Sequence, residues 1–213
     1  RTSILMTNMD SPPKVIMLSS SVPGEGKTTH SIALAHNLAN LGKRVLLIEG
    51  DIRRSTLSQY FDLPKDVSLA HGMPKDLNVL DDAIIKIDDF GIDVMLGGSK
   101  SSNAIEIFFS ETYRELIDQL RERYDHIIID TPPVLLVSDA RAIAQHADVR
   151  LLVVKWNSTL RDQVIESIRQ FKTANAEING IILTQIDAKG MRRYGHYGSY
   201  GAQYGYGNKY YTQ

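Results

Sequence analysis

The sequence predicts an α/β fold in which helices cover both faces of a mostly parallel β-sheet. Two observations lead to this fold class. Short continuous apolar runs rich in Val and Ile recur along the chain, and amphipathic segments with helical spacing separate them. Such runs are typical of strands that are buried on both faces. Their alternation with helices is typical of a parallel sheet.

The strands and helices can be assigned in order from these patterns. Predicted strands coincide with the apolar runs at Val15–Leu18, Val45–Ile48, Ile127–Ile129, Leu151–Val154 and Ile181–Leu183. Predicted helices span Thr28–Leu41, Glu111–Arg123, Asp139–His146 and Leu160–Thr173. Gly42 would end the first helix, since glycine is the usual residue just past a helix C-terminus. Residues 62–104 are less regular, so we expect a looped insertion there with one strand near Ile92–Leu96.

Composition limits the functions that the chain can have. Its 213 residues can bury a core of their own, and its 24 basic and 25 acidic side chains leave a net charge of −1. This balance gives no field that would favour a nucleic-acid partner. The absence of cysteine excludes disulfides, thiolate metal clusters and cysteine nucleophiles. The first residue is Arg1, and we expect the chain to be a piece of a longer protein.

The C-terminal segment differs from the rest of the chain. Apolar periodicity stops there, and glycines alternate with seven tyrosines at Tyr194, Tyr197, Tyr200, Tyr204, Tyr206, Tyr210 and Tyr211. Such a composition cannot build a core and raises the entropy of ordering. The sequence therefore predicts one folded domain over residues 1–190 and a flexible tyrosine tail over residues 191–213.

The segment between the first strand and the first helix predicts a nucleotide site. It reads Ser-Val-Pro-Gly-Glu-Gly-Lys-Thr-Thr over residues 21–29. Glycines let successive backbone N–H groups wrap a phosphate, a lysine reaches the β- and γ-phosphates, and a hydroxyl binds Mg²⁺. The strict pattern has Gly where Ser21 stands. We therefore predict a P-loop NTPase fold that binds ATP through Pro23, Gly24, Glu25, Gly26, Lys27, Thr28 and Thr29.

Three acids follow predicted strands. Glu49 and Asp51 follow the second strand, and Asp130 follows the third. The carboxyl edge of an open parallel sheet is where ligands bind, and an acid there anchors Mg²⁺ in P-loop enzymes. We expect Thr28, Asp51 and Asp130 to hold the metal directly or through water. Either Glu49 or Asp51 could take the proton of an incoming hydroxyl, and each acid taken alone could also be a helix cap or turn residue.

Together with the tyrosine tail, these motifs resemble the bacterial tyrosine kinases. The resemblance implies the cytoplasmic kinase domain of an exopolysaccharide co-polymerase, at the inner face of the bacterial inner membrane. It implies autophosphorylation of the tail tyrosines and assigns Lys27 and Thr28 to phosphates and Mg²⁺. It also assigns Asp51 and Asp130 to the metal and catalysis, and Arg53 to the signature after the acidic pair. Expected partners are further copies of the chain in a ring while unphosphorylated, a fused or separate membrane activator segment, and a cognate tyrosine phosphatase.

Two features differ from the family pattern. The first acid is Glu49 rather than Asp, and the added methylene moves its charge by roughly 1 Å, enough to cost about 10²-fold in rate. Only Arg1–Leu5 resembles the end of the family's upstream Glu-x-x-Arg-x-x-Arg oligomerisation helix.

The main alternative is an ATPase switch that positions septa or plasmids. Those proteins carry an additional lysine near the start of the loop, where this chain has Ser21-Val-Pro-Gly24. They often end in an amphipathic membrane-binding helix rather than a Gly/Tyr tail. A second alternative is a degenerate, non-catalytic module on a nucleotide fold, which the complete set of phosphate and metal elements argues against.

Overall fold

In the computed structural model, residues 12–54, 56–63, 81–97, 104–187 and 190 are described. Seven strands in these residues form one sheet. They are β1 (Val15–Ser20), β2 (Val45–Glu49), β3 (Ile84–Ile87), β4 (Ile92–Met95), β5 (His126–Asp130), β6 (Val149–Lys155) and β7 (Gly180–Thr184). Their order across the sheet is β3-β4-β2-β5-β1-β6-β7. All neighbouring pairs are parallel except β3 and β4. The mostly parallel sheet is thereby confirmed.

Six α-helices lie in the described residues. They are α1 (Lys27–Ala39), α2 (Thr56–Tyr60), α3 (Ala104–Phe109), α4 (Glu111–Arg123), α5 (Asp139–Ile143) and α6 (Arg161–Thr173). Short 3₁₀ turns follow β3 at Asp88–Phe90 and α5 at Ala144–His146. Within these residues, no helix has both the length and the apolar character that crossing a bilayer requires.

Helices pack on both faces of the sheet, and each face has its own buried cluster. On one face, Ile32, Ala35 and Leu38 of α1 pack with Ile16 and Leu18 of β1. On the other face, residues of α4, α5 and α6 pack with the alternate residues of the central strands, such as Met17 and Ile129. Because β1, β2 and β5 are buried on both faces, their sequences are continuous apolar runs.

Local capping sets several helix boundaries. Ser110 accepts a hydrogen bond from Tyr113 N at 3.1 Å and begins α4. The side chain of Gln163 accepts a hydrogen bond from Leu160 N at 3.0 Å at the start of α6. Gly42 lies beyond α1 with φ of 76°, a left-handed conformation that suits glycine.

The structure corrects the sequence-based assignments in several places. Helix α1 ends at Ala39 rather than Leu41, and the predicted helix Asp139–His146 is a short α-helix followed by a 3₁₀ turn. The irregular stretch contains β3, which pairs antiparallel with β4 at the sheet edge. Helices α2 and α3 were also not predicted.

Candidate active site

Two glycines shape the loop that joins β1 to α1. Gly24 and Gly26 have φ of 80° and 87°, values at which an L side chain would be strained. Lys27 is the first residue of α1, so the loop ends at a helix N-terminus, where backbone N–H groups favour an anion. The loop borders an open cleft of about 180 Å³, whose lining includes Pro23, Gly24, Glu25, Gly26, Lys27, Thr28, Thr29, Asp51, Arg54 and Pro133. All seven residues predicted to bind the nucleotide therefore line one cleft.

Asp130 is the centre of the polar contacts at this cleft. Its Oδ1 lies 2.9 Å from Lys27 Nζ, and its Oδ2 accepts a hydrogen bond from Thr28 Oγ1 at 2.6 Å. The strand register explains why Asp130 lies at this cleft. Strand β5 lies between β1 and β2, and Asp130 is opposite Leu18 of β1 and Glu49 of β2. Asp130 is buried, so its charge is compensated by Lys27 in a setting of low polarity.

Ser31 also contacts Asp130 and was not predicted. Its Oγ lies 3.0 Å from Asp130 Oδ1, and it follows Lys27 by four residues on the same face of α1. The i,i+4 spacing could have indicated this contact. What the sequence does not show is that the same helix face meets the end of β5.

Asp51 lies on the other wall of the cleft. Its Oδ1 accepts a hydrogen bond from Arg53 N at 3.3 Å. Burial raises the pKa of Asp51, while the positive charge of Lys27 acts in the opposite direction. In the metal-free protein, the raised pKa makes the carboxylate of Asp51 a stronger base.

Glu49 has a different environment from Asp51. It is 1% exposed, and both of its oxygens accept hydrogen bonds from backbone N–H groups. Leu57 N lies 2.7 Å from Oε1, and Gly97 N lies 3.2 Å from Oε2. Burial raises the pKa of Glu49, and these two backbone donors partly offset that effect. The contacts join β2 to α2 and to the chain after β4, which favours a positioning role. A catalytic role for Glu49 stays a prediction.

Glu25 anchors the phosphate-binding loop. Its buried carboxylate accepts hydrogen bonds from Val22 N at 2.8 Å, from Lys155 N at 3.3 Å and from Thr159 Oγ1. Its carbonyl oxygen accepts one from Thr184 Oγ1 at 2.7 Å. Glu25 thus holds the loop against β6 through its side chain and against β7 through its carbonyl oxygen. Contact of the nucleotide with this residue remains a prediction.

Two further polar residues near the site were not predicted as parts of it. Asp139 is buried and forms an ion pair with Arg53, with 2.9 Å between Nε and Oδ2. Gln185 follows β7 with φ of 51°, unusual for a residue other than glycine, and its Nε2 donates to Gly24 O at 3.1 Å. Strained backbone of this kind clusters at functional sites. Neither the backbone conformation of Gln185 nor its hydrogen bond to Gly24 can be predicted from the sequence.

The donor set suits Mg²⁺. Thr28, Asp51 and Asp130 offer hard oxygen atoms, and Mg²⁺ is usually held by one or two carboxylates together with substrate phosphates. Across the described ranges, no group of three His, Cys, Asp or Glu could form an all-protein metal cage. The tail tyrosines Tyr194, Tyr197, Tyr200, Tyr204, Tyr206, Tyr210 and Tyr211 lie outside the described residues.

Fold and site together define a P-loop NTPase. A family described as AAA domain matches residues 13–181. Tyrosine-protein kinase YwqD of Bacillus subtilis is 32% identical over 93% of this chain and 84% of its own length. The kinase domain of Escherichia coli tyrosine kinase ETK has 29% identity and a TM-score of 0.81, over 87% of this chain and 72% of that one. The chain therefore belongs to the bacterial tyrosine kinases, within the AAA domain family.

Some relatives are much longer than this chain. Putative tyrosine-protein kinase EpsB of Ralstonia nicotianae is 32% identical over 98% of this chain, which spans only 28% of the length of EpsB.

The fold is also shared with a septum-positioning protein. The septum site-determining protein MinD from Pyrococcus horikoshii, complexed with Mg-ADP, has 25% identity and a TM-score of 0.66, over 80% of this chain and 69% of that one. Relatives of this fold thus bind adenine nucleotides with magnesium.

Proposed function

We propose that this chain is an ATP-dependent protein-tyrosine kinase that phosphorylates its own tail, one subunit acting on another. The observation that carries the proposal is that Lys27, Thr28 and Asp51 line one cleft, while the buried Asp130 contacts both Lys27 and Thr28. Kinases of the same family cover most of the chain. The chain supplies its own acceptors, because seven tyrosines interspersed with glycines follow the described residues.

The chemistry needs positioning and charge neutralisation more than covalent help. Lys27 and the backbone N–H groups of the loop hold the β- and γ-phosphates. Thr28, Asp51 and Asp130 would hold Mg²⁺, which supplies positive charge to the phosphate oxygens. In the transfer, the tyrosine oxygen bonds to the γ-phosphorus as the bond to the β–γ bridging oxygen breaks, and ADP leaves. Asp51 accepts the proton of the tyrosine hydroxyl.

The biological setting is part of the proposal, and the similarity to tyrosine-protein kinases supports it. The domain would act in exopolysaccharide production at the inner face of the bacterial inner membrane, with a fused or separate membrane activator segment. Unphosphorylated subunits would form a ring that comes apart on phosphorylation. A cognate tyrosine phosphatase would reset the tail.

A phosphate-mapping experiment tests the activity. The purified chain is first treated with a tyrosine phosphatase that is then removed, incubated with Mg²⁺ and ATP, and analysed by peptide mass spectrometry. We expect phosphate on the tail tyrosines and none on Tyr60, which is 56% exposed but belongs to helix α2. Absence of phosphotyrosine together with ATP hydrolysis would instead support the ATPase switch. Phosphate mainly on Tyr60 would exclude the tail as substrate.

A mixing experiment tests transfer between subunits. ¹⁵N-labelled Lys27→Met chain is combined with unlabelled wild-type chain, Mg²⁺ and ATP. Phosphate on ¹⁵N-labelled tail peptides is expected, since the variant cannot phosphorylate itself. Phosphate confined to unlabelled peptides would show that each chain acts on its own tail.

A further inference from the structure

Strand β7 leaves apolar side chains uncovered at one edge of the sheet. Ile181 and Leu183 are 53% and 45% exposed, and Ile186 just after the strand is 47% exposed. Within the part of the chain that is described, β7 pairs with β6 alone. We call Ile181, Leu183 and Ile186 the β7 surface.

The direction of the Ile181 and Leu183 side chains follows from the register. Ile181 is the partner of Leu152 and Leu183 is the partner of Val154 across the parallel β6–β7 pair. Leu152 and Val154 are buried in the same cluster as Phe171 of α6. Ile181 and Leu183 therefore lie on the face of the sheet that α6 covers. There α6 covers β6, while the outer strand β7 keeps its two side chains about half exposed.

Gly190, the last residue that the structure describes, lies near the carboxyl end of β7. Trp156 N donates to Thr184 O at 3.0 Å, which places Trp156 at the end of β7. A Cβ atom at Gly190 would lie 2.5 Å from Cη2 of Trp156, so the chain passes directly against that ring. Gly190 N also donates to Asp187 Oδ2 at 2.9 Å. Residues 191–213 follow Gly190 in the sequence, so the tail is connected to the fold near the carboxyl end of β7.

We propose that the β7 surface docks the chain's own unphosphorylated tail, residues 191–213, through its tyrosine rings. A tyrosine ring can cover aliphatic side chains while its hydroxyl stays in water. Ten residues of a glycine-rich chain span roughly 17 Å on average, close to the length of a strand of five residues. A short covalent connection also gives the tail a local concentration of about the millimolar range.

The position of the tail favours it over the other end of the chain as the occupant. Residues 1–11 join the fold just before β1, at the amino ends of the parallel strands, whereas residues 191–213 join it at the carboxyl end of β7. A docked tail would hold its tyrosines away from the cleft, and a phosphate on a tyrosine would weaken the docking because its charge resists burial. These two consequences rest on the proposed kinase function, whereas the docking itself does not.

Methyl NMR with a nitroxide label tests the docking. Because the chain has no cysteine, Ser199→Cys gives a single labelling site within the tail. The full chain is labelled at Ile and Leu methyl groups, treated with a tyrosine phosphatase and kept free of nucleotide. The oxidised nitroxide is expected to reduce the methyl signals of Ile181 and Leu183 to less than half of their intensity with the reduced label. Equal intensities in the two states would overturn the proposal.

A matched pair of variants shows whether the contact is specific. Leu183 and Leu41 are 45% and 46% exposed, but Leu41 lies just after α1. Leu183→Lys is expected to restore the Ile181 signal, whereas Leu41→Lys leaves it reduced. If the methyl spectrum of Leu183→Lys is otherwise unchanged and its Ile181 signal stays reduced, the proposal is contradicted. To test whether the tail docks on a second copy, isotope-labelled chain without nitroxide is mixed with nitroxide-labelled chain without isotope. A reduced methyl signal of Ile181 in this mixture would also overturn self-docking.

Autophosphorylation rates separate this inference from the proposed function. Leu183→Lys should phosphorylate its tail several-fold faster than Leu41→Lys, because the tyrosines are released. Equal rates would overturn the protective effect of docking. If no variant forms phosphotyrosine while the nitroxide effect persists, the kinase function fails and the docking stands.

Discussion

Charged side chains lie at both ends of the parallel strands, but their surroundings have opposite effects on their pKa values. At the amino end, Asp148 accepts hydrogen bonds from the backbone N of Lys14 and Val15 at 2.9 and 2.8 Å, and two from Arg121. Burial alone would raise the pKa of Asp148, but Arg121 and the backbone donors lower it overall. Arg44 lowers the pKa of Asp125 to about 2.

At the carboxyl end, burial raises the pKa values of Glu49 and Asp51. The folded state thus favours ionised carboxylates at the amino end and disfavours two of them at the carboxyl end. Carboxylates with a lowered pKa stabilise a fold at neutral pH. Carboxylates with a raised pKa destabilise it and are typical of functional sites. The comparison therefore assigns stability to one end of the sheet and chemistry to the other.

The largest effect is expected at Asp130. Asp130→Asn should reduce tail phosphorylation by about 10²-fold or more, because the amide loses the charge that Mg²⁺ and Lys27 require. It should also lower the free energy of unfolding by about 3 kcal/mol, because Lys27 is left buried without its partner. Initial rates of phosphotyrosine formation and urea unfolding measure the two effects. Asp125→Asn at the amino end is the control and should leave the rate unchanged.

Asp51→Asn should separate activity from stability. We expect the rate to fall by about 10²-fold or more, because the proton acceptor is lost, while nucleotide-free stability at pH 7 stays equal or rises. The folded pKa of Asp51 lies above its unfolded value, so the ionised group destabilises the fold above that pKa. The advantage of Asn should shrink as pH falls towards the unfolded pKa. Thermal unfolding from pH 7 to pH 4 follows this, and a variant less stable at pH 7 would contradict it.

Glu49→Gln is expected to have a smaller effect on rate than Asp51→Asn. Glutamine keeps one oxygen for a backbone N–H and presents an NH₂ group to the other, so it loses one of two hydrogen bonds, worth about 1 kcal/mol. We expect the rate to stay within about ten-fold of wild type. A loss of rate as large as that of Asp51→Asn would indicate that Glu49 is the general base. Glu49→Asp is the companion variant, because the shorter side chain keeps the charge but cannot reach both donors.

The sequence predicted the buried centre of the fold better than its margin. Strands β1, β2 and β5 are covered on both faces, so burial alone shapes their composition. Strand β3 is half-exposed at the edge, and its pairing with β4 depends on a contact that periodicity does not encode. Helix α2 has five residues, too few to show a helical period.

The same limit applies to the site. Lys27 and Thr28 belong to a contiguous motif whose chemistry requires them together, and Asp130 follows a strand that had to be central. The roles of Glu49 and Asp139 depend on groups 48 and 86 residues away, Gly97 and Arg53. Arg53 belongs to the signature after the acidic pair, but nothing local in the sequence pairs it with Asp139, and Gly97 belongs to no local pattern. Only the assembled fold distinguishes a positioning carboxylate from one that faces the cleft.

The smallest effect is expected at His126, at the amino end, where a pH response should change stability without changing activity. His126 is 4% exposed, and its Nδ1 lies 3.1 Å from Pro13 O. Burial lowers the pKa of His126, and Lys43 and Lys14 act in the same direction, whereas Pro13 O and Asp125 oppose them. In the unfolded chain its pKa is about 6.5.

Below a pH of about 6.5, His126 binds a proton in the unfolded state but less readily in the folded state. The free energy of unfolding therefore falls as pH falls from about 6.5 towards the folded pKa. Glutamine does not titrate, and its amide can still donate to Pro13 O. His126→Gln should therefore become more stable relative to wild type as pH falls from 7.5 to 5.5, by no more than about 1.4 kcal/mol per pH unit for one proton. Urea unfolding at several pH values measures the difference. Parallel curves would show that His126 is not held neutral, and a matching change in phosphorylation rate would contradict the separation of the two ends of the sheet.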